Sequence, residues 1–255
     1  MESGACSLAN MVTKSKTGKG TPGMSEKIFD EYASDYSNSV NAALEVYGVK
    51  QDFFTRQKSF LFNHLLKQAG LQPSEVDLVD VGCGTAQIHS IIGGSLGSVV
   101  GVDVSEESLK EARSQFPQNK YVHYDGSVLP LETASADAAI AICVFHHVPP
   151  ENWQQLANEM MRILRPEGMA LIIEHNPWNP ITRRIVSSCP IDDDAVLLNR
   201  RETAALLEKS GGVKIESKSI LTIPPIGRVL SHMDLLLGSL PFGAQYYTLA
   251  RKPGV

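Results

Sequence analysis

Asp80-Val81-Gly82-Cys83-Gly84-Thr85-Ala86 is the segment best suited to holding a charged small molecule. An apolar run enters it, two glycines make a turn, and a helical pattern leaves it. Glycine lets the backbone approach a ligand with no Cβ in the way. A dinucleotide turn would carry a third glycine three residues after the second, and here that position is Gln87. An acid two residues before the first glycine repels a phosphate, whereas a ligand bearing an ammonium and a sulfonium tolerates Asp80. Asp103 closes the next apolar run, about 20 residues on, where an acid can accept hydrogen bonds from both ribose hydroxyls. That fits a nicotinamide dinucleotide and a sulfonium nucleoside equally. Asp125-Gly126 follows a third short run. Its acid can accept from an adenine amino group, and the backbone N–H groups of Ser127 or Val128 can meet a ring nitrogen. Asp-Gly is also a common turn pair.

Imidazoles mark two later positions. His146 and His147 follow the apolar run Ala138–Val144, and His175 stands in Glu174-His175-Asn176-Pro177-Trp178-Asn179-Pro180. Histidine titrates near neutrality and suits proton transfer. Packing and capping are the structural alternatives. Asp192, Asp193 and Asp194 form an acidic run. Adjacent carboxylates rarely converge on one ion, so the run reads as a solvated loop and no metal centre is expected.

Alternating strands and helices must position these residues. Strands are predicted over Val76–Val81, Ser98–Val104, Lys120–Tyr124, Ala138–Val144, Met169–Ile173, Val213–Leu221 and Tyr246–Arg251. Helices are predicted over Phe53–Ala69, Ala86–Ile92, from Ser105 as N-cap, from Pro149-Pro150, and from Asn199, which with Glu202 resembles a capping box. The order implies an α/β doubly wound sheet with helices on both faces. Ligands then sit beyond the carboxyl ends of the strands, where every residue named above falls.

Bulk properties narrow the class. The chain has 255 residues, 43% apolar and 20% charged, an ordinary globular balance. A net charge of −5 argues against a partner held by bulk electrostatics, so no nucleic acid is expected. Cys6, Cys83, Cys143 and Cys189 are widely spaced, with neither a disulfide framework nor a zinc motif, which fits a reducing cytoplasmic setting. Residues 1–24 read as a disordered tail with no signal-peptide core.

The ordered series Asp80-x-Gly82-x-Gly84, Asp103, Asp125-Gly126, Asp137-Ala138-Ala139-Ile140 and Phe145-His146-His147, with Leu164-Arg165-Pro166-Glu167-Gly168-Met169, resembles the class I S-adenosylmethionine-dependent methyltransferases. The quinone-methylating type and its bacterial relatives are the nearest subgroup. The resemblance runs over roughly residues 28–212. It implies a mostly parallel seven-stranded sheet of order 3-2-1-4-5-7-6, with the last strand antiparallel, in one domain over 25–255. It implies a helical lid over about 25–72 bearing Phe29, Tyr32 and Tyr36. It implies S-adenosylmethionine as cofactor, held by Asp80, Gly82, Cys83, Gly84, Asp103, Val104, Asp125, Gly126, Ser127, Cys143, Tyr32 and Tyr36. His146, His147 and His175 then face a small-molecule acceptor as candidate bases, the acceptor atom being oxygen or carbon of a lipid, quinone-like or surface-glycan precursor.

Ile226, Val229, Leu230, Met233, Leu236 and Leu237 lie at helical spacing, able to roof an apolar pocket, rest on a membrane surface or pack in the core. The oligomeric state is not legible. Two rival classes are a nicotinamide-dependent oxidoreductase, disfavoured by Gln87 and Asp80, and a non-catalytic cofactor-binding module, disfavoured by the histidines at the strand ends.

Overall fold

A computed structural model describes residues 51–223 and 227–254. The expected tail and the lid aromatics Phe29, Tyr32 and Tyr36 lie outside them, as does Ile226. Seven strands form one sheet: β1 (Asp77–Val81), β2 (Ser98–Asp103), β3 (Lys120–His123), β4 (Ala136–Ile142), β5 (Leu164–His175), β6 (Val213–Ile220) and β7 (Gln245–Arg251). Their order is β3-β2-β1-β4-β5-β7-β6. The first five run parallel, and β7 lies antiparallel between β5 and β6. The helices are α1 (Gln51–Gln68), α2 (His89–Ile92), α3 (Glu106–Gln115), α4 (Trp153–Ile163), α5 (Pro180–Ser188), α6 (Arg200–Lys209) and α7 (Gly227–Leu236).

Period-two alternation in the central strands divides the core into two layers. Leu78, Ala138, Ile140, Leu171 and Ile173 point to one face and meet Leu61, Phe62, Leu65 and Leu66 of α1. Val79, Val81, Ala139, Ala141 and Ile172 point to the other and meet Leu156, Met160 and Ile163 of α4. Both faces are covered, as a parallel sheet requires.

Caps fix the helices that reach the strand ends. Ser105 accepts the Ser108 N–H at the start of α3, and Asn199 and Glu202 complete a capping box at α6. Two predicted spans change. The helix expected from Ala86 begins only at His89, because Ala86 takes φ +60° and the chain makes a further turn first. The fifth strand starts at Leu164 rather than Met169, carried through an irregularity at Glu167, where φ is +61°. The structure also contains α5, which the hydrophobic pattern did not predict. Asn179 caps its first turn by accepting from Ile181 and Thr182 N–H, with Pro180 at the first helical position.

Candidate active site at the strand ends

The turn after β1 is built almost wholly from backbone. The N–H groups of Gly82 and Cys83 both donate to the Val102 carbonyl, at 2.7 and 3.1 Å. Gly82 and Gly84 take φ of +70° and +51°, which glycine adopts without a steric cost. Their surroundings differ. A Cβ at Gly82 would come within 2.5 Å of the Val144 side chain, whereas one at Gly84 would meet nothing within 4 Å. Gly82 therefore packs against the end of β4, and Gly84 faces open space.

Asp103 is buried at the end of β2. Its Oδ2 accepts from Gly84 N–H at 2.7 Å and its Oδ1 from Ser105 N–H at 2.9 Å. Burial raises its carboxyl above the usual range, and these N–H groups partly oppose that. Asp80 is also buried, and its Oδ2 lies 3.0 Å from His89 Nε2, while His89 Nδ1 lies 3.0 Å from the Tyr121 hydroxyl. The His89 partnership had no signal in the sequence beyond a histidine nine residues on. Burial pushes the Cys83 thiol well up. At the tip of β3, exposed Asp125 accepts from both the N–H and the hydroxyl of Ser127, which hold its carboxyl low. Val104 lies 3.6 Å from where a Cβ on Gly126 would stand. Gly82, Cys83, Gly84, Asp103, Val104, Asp125, Gly126 and Ser127 thus occupy the carboxyl ends of three neighbouring strands.

The ends of β4 and β5 form a contrasting site of buried charge. Cys143 takes φ +57°, an uncommon conformation for a non-glycine residue, and a 3-10 turn over Phe145–His147 follows. Glu174, fully buried, organises this turn. Its Oε1 accepts from the N–H groups of Val144 at 3.0 Å and Phe145 at 2.8 Å, and its Oε2 lies 2.6 Å from His146 Nδ1. A carboxylate only accepts, so His146 Nδ1 carries the proton and Nε2 points the other way.

That second nitrogen looks toward Asp192. His146 Nε2 and His147 Nε2 lie 3.6 and 3.4 Å from Asp192 Oδ1. The expectation of a solvated acidic loop fails for Asp192, whose side chain is 13% exposed, and holds for exposed Asp193 and Asp194. A 3-10 turn over Pro190–Asp192 doubles the chain back, and Val196 N–H donates to the His146 carbonyl at 2.8 Å, pinning the loop to the histidine turn.

The electrostatics follow from this packing. Burial lowers the basicity of His146, but the Glu174 carboxylate and Asp192 outweigh it and hold the imidazole well above its ordinary range. Burial also opposes ionisation of Glu174, and His146 holds its carboxyl well below the usual range. Burial and the neighbouring His146 push His147 down to about 3. The His175 ring lies 5.1 Å from that of His146 between centroids, tilted by 52°, with Nδ1 3.4 Å from Gln245 Nε2. Burial raises the Cys143 thiol, but the Lys58 ammonium at 3.6 Å and His175 overcome it and bring it to about 7.

The structure thus brings His146, His147, His175 and Cys143 together, and adds Glu174, Asp192, Lys58 and Gln245, which sequence reasoning gave no role. Glu174 did leave a signal. It ends the apolar run Ala170–Ile173, and a carboxylate prolonging a buried strand needs a partner.

Comparison with known proteins agrees with this architecture. The family model described as "Methyltransferase domain" matches residues 79–172. A Mycolicibacterium smegmatis protein named "Probable S-adenosylmethionine-dependent methyltransferase" is 24% identical, over 69% of this chain and 68% of its own. The chain spans about half the length of two further curated relatives. Among solved structures, a Thermotoga maritima S-adenosylmethionine-dependent methyltransferase superposes with a TM-score of 0.63 at 17% identity, covering 89% of this chain and 99% of that one. Haemonchus contortus phosphoethanolamine N-methyltransferase 2, bound to phosphomonomethylethanolamine and S-adenosylhomocysteine, gives 0.62 at 16% identity, covering 90% of this chain and 60% of that one. With the strand order 3-2-1-4-5-7-6 and the glycine turn at the end of β1, these matches support a class I S-adenosylmethionine-dependent methyltransferase whose methyltransferase domain includes residues 79–172.

Proposed function

We propose that this enzyme methylates a hydroxyl oxygen of an amphipathic small molecule, with the acceptor lying over the ends of β4 and β5. One observation carries the reading. The buried His146–Glu174 cluster begins two residues after Val144, whose side chain rests on Gly82 of the glycine turn. Groups able to handle a proton therefore adjoin the turn that suits the cofactor.

The turn fits S-adenosylmethionine. Gly84 opens onto free space where a side chain would stand. Asp103 accepts from the Gly84 and Ser105 N–H groups, one on each oxygen, and a carboxylate's roughly four acceptor sites leave capacity for the ribose. Asp125, Gly126 and Ser127 are placed for the adenine edge, and Cys83, Val104 and the Cys143 backbone for the nucleoside and methionine portions. Asp80 acts through His89 and Tyr121, stiffening the turn while contributing negative charge near a cationic ligand. The bound cofactor supplies an electrophilic methyl carbon on a positively charged sulfur.

The chain's own residues supply alignment and proton removal. The acceptor oxygen forms its bond to the methyl carbon as the carbon–sulfur bond breaks and its electrons return to sulfur. An imidazole of the His146–His147–His175 group takes the hydroxyl proton. Holding the two partners in line can supply roughly 7–11 kcal/mol of the barrier reduction. The apolar side chains Trp178, Ile181 and Phe242 are exposed beside the end of β5, Asn179 Nδ2 donating to the Phe242 carbonyl at 2.8 Å. They suit the hydrophobic part of a lipid, quinone-like or lipid-linked glycan acceptor. Val229, Met233 and Leu236 of α7 are exposed as well and can rest on the surface that carries such an acceptor. No helix among the described residues is long and apolar enough to cross a membrane.

The test is a panel of lipid, quinone and glycan acceptors with labelled cofactor, run on the wild type and on His146→Ala, His147→Ala and His175→Ala. At least one variant is expected to lose turnover by about 10²–10⁴-fold while keeping cofactor affinity. A loss below tenfold in all three rejects proton transfer by this group.

A further inference from the structure

We propose that His146, His147 and Asp192 form a binding site for one divalent transition-metal ion of the zinc type. The site deepens the reading above, since the ion's open position would take the acceptor oxygen.

Geometry is the first support. One nitrogen from each imidazole and one Asp192 oxygen all lie within 4.8 Å of one another. The separations of 3.4 and 3.6 Å between the imidazole Nε2 atoms and Asp192 Oδ1 are long for hydrogen bonds, whose donor–acceptor distances centre near about 2.9 Å. They suit two ligands of one ion. Atoms about 2.0–2.1 Å from a metal and spread at a tetrahedral angle stand roughly 3.4 Å apart.

The orientation of the rings is independent of those distances. Glu174 accepts from His146 Nδ1 at 2.6 Å, so Nε2 is the nitrogen directed at the cluster, where a bound ion would displace its proton. A carboxylate behind a metal-binding histidine is the usual device for fixing its tautomer and raising its donor strength. Glu174 is itself held by the N–H groups of Val144 and Phe145, so the ring cannot swing away.

Ligand chemistry selects the metal. Two imidazoles and one carboxylate suit zinc, cobalt or iron, whereas magnesium and calcium call for oxygen ligands. Three protein ligands leave a coordination position open, as in catalytic rather than structural zinc sites. The side chains of His147 and Asp192 are 14% and 13% exposed, giving an ion a route in, while His146 forms the buried floor. With both histidines engaged, His175 remains for the hydroxyl proton.

The full chain, stripped with chelator, is titrated with Co²⁺ alone and followed by visible absorption, with Zn²⁺ as competitor. The expected result is one equivalent of Co²⁺ giving the strong d–d bands of a low-coordinate site, displaced by Zn²⁺. Asp192→Asn and His147→Ala should each weaken Co²⁺ binding at least about tenfold. Calorimetry with S-adenosylmethionine on the same samples separates this proposal from the cofactor reading. Lost metal with retained cofactor affinity in Asp192→Asn supports the site, and lost cofactor binding in the wild type would count against the cofactor reading alone. Absence of d–d bands in the wild type, or bands unchanged in both variants, overturns the metal site.

Discussion

The two halves of the strand-end surface are built on opposite principles. Across β1, β2 and β3, local backbone does the work. Gly84 and Ser105 place N–H groups on the two oxygens of Asp103, and the Gly82 and Cys83 N–H groups meet the Val102 carbonyl. Across β4 and β5, side chains distant in sequence converge: Glu174 lies 28 residues from His146, and Asp192 reaches the same ring from beyond α5. On the proposed reading, the first half is a backbone cradle lined by Asp80, Asp103 and Asp125 for the cofactor. The second concentrates buried charge, which is costly unless every member is partnered. On that reading, the shared ligand is served by backbone geometry, and the particular one by side chains assembled from separate segments.

The largest effect should come from breaking the long-range half. Glu174→Ala leaves His146 and two backbone N–H groups without their acceptor. It should destabilise the protein by about 3–5 kcal/mol, read by urea unfolding. A loss under about 1 kcal/mol would mean that the cluster is not the keystone of this end of the sheet. Next is Gly82→Ala, which adds a Cβ at φ +70° within 2.5 Å of Val144. Overpacking of this kind costs about 1–3 kcal/mol. Cofactor affinity measured by calorimetry should fall, whereas Gly84→Ala, which meets nothing within 4 Å, should cost only the left-handed backbone strain at φ +51°, about 1–2 kcal/mol, and lose affinity chiefly through contact with the ligand. A smaller change tests the local half. Ser105→Ala removes the cap on α3 and should cost about 1 kcal/mol in thermal or urea unfolding.

The smallest effect calibrates the others. Glu159 pairs with Arg162 and accepts from Leu129 N–H at 2.9 Å, well away from the histidines. The Arg162 hydrogen bond holds its carboxyl below the ordinary range. Its stabilisation is therefore complete above the unfolded-state value and lost as pH falls through the folded one. Unfolding free energy followed from pH 7 to 3 should show a shallower acid decline in Glu159→Gln than in the wild type. Parallel curves would assign the acid sensitivity elsewhere.

Sequence legibility follows the same division. The caps at Ser105 and Asn199 and the two-sided burial of β4 lie in neighbouring residues, so periodicity and composition revealed them. The strand order came from the family pattern instead. Local signals also erred where the backbone took unusual conformations, at Ala86 before α2 and at Glu167 inside β5. Helix α5 went unread although Asn179-Pro180 is a cap followed by a favoured first residue. Asp192 was illegible for a different reason. In Asp192-Asp193-Asp194 the three residues are chemically alike, and only the turn from Pro190 decides which one faces the histidines.

The bare α-carbon of Gly82 has one more consequence. Because the Val144 methyl groups occupy the place of its missing side chain, the two strand tips cannot close further or be remodelled singly. A bulkier residue at 144 would shove the glycine turn, and any substituent at 82 would tip the histidine segment. On the proposed reading, that one van der Waals touch gauges the gap the methyl group must cross, so lineages that change acceptor are expected to vary the outer loops and spare this pair.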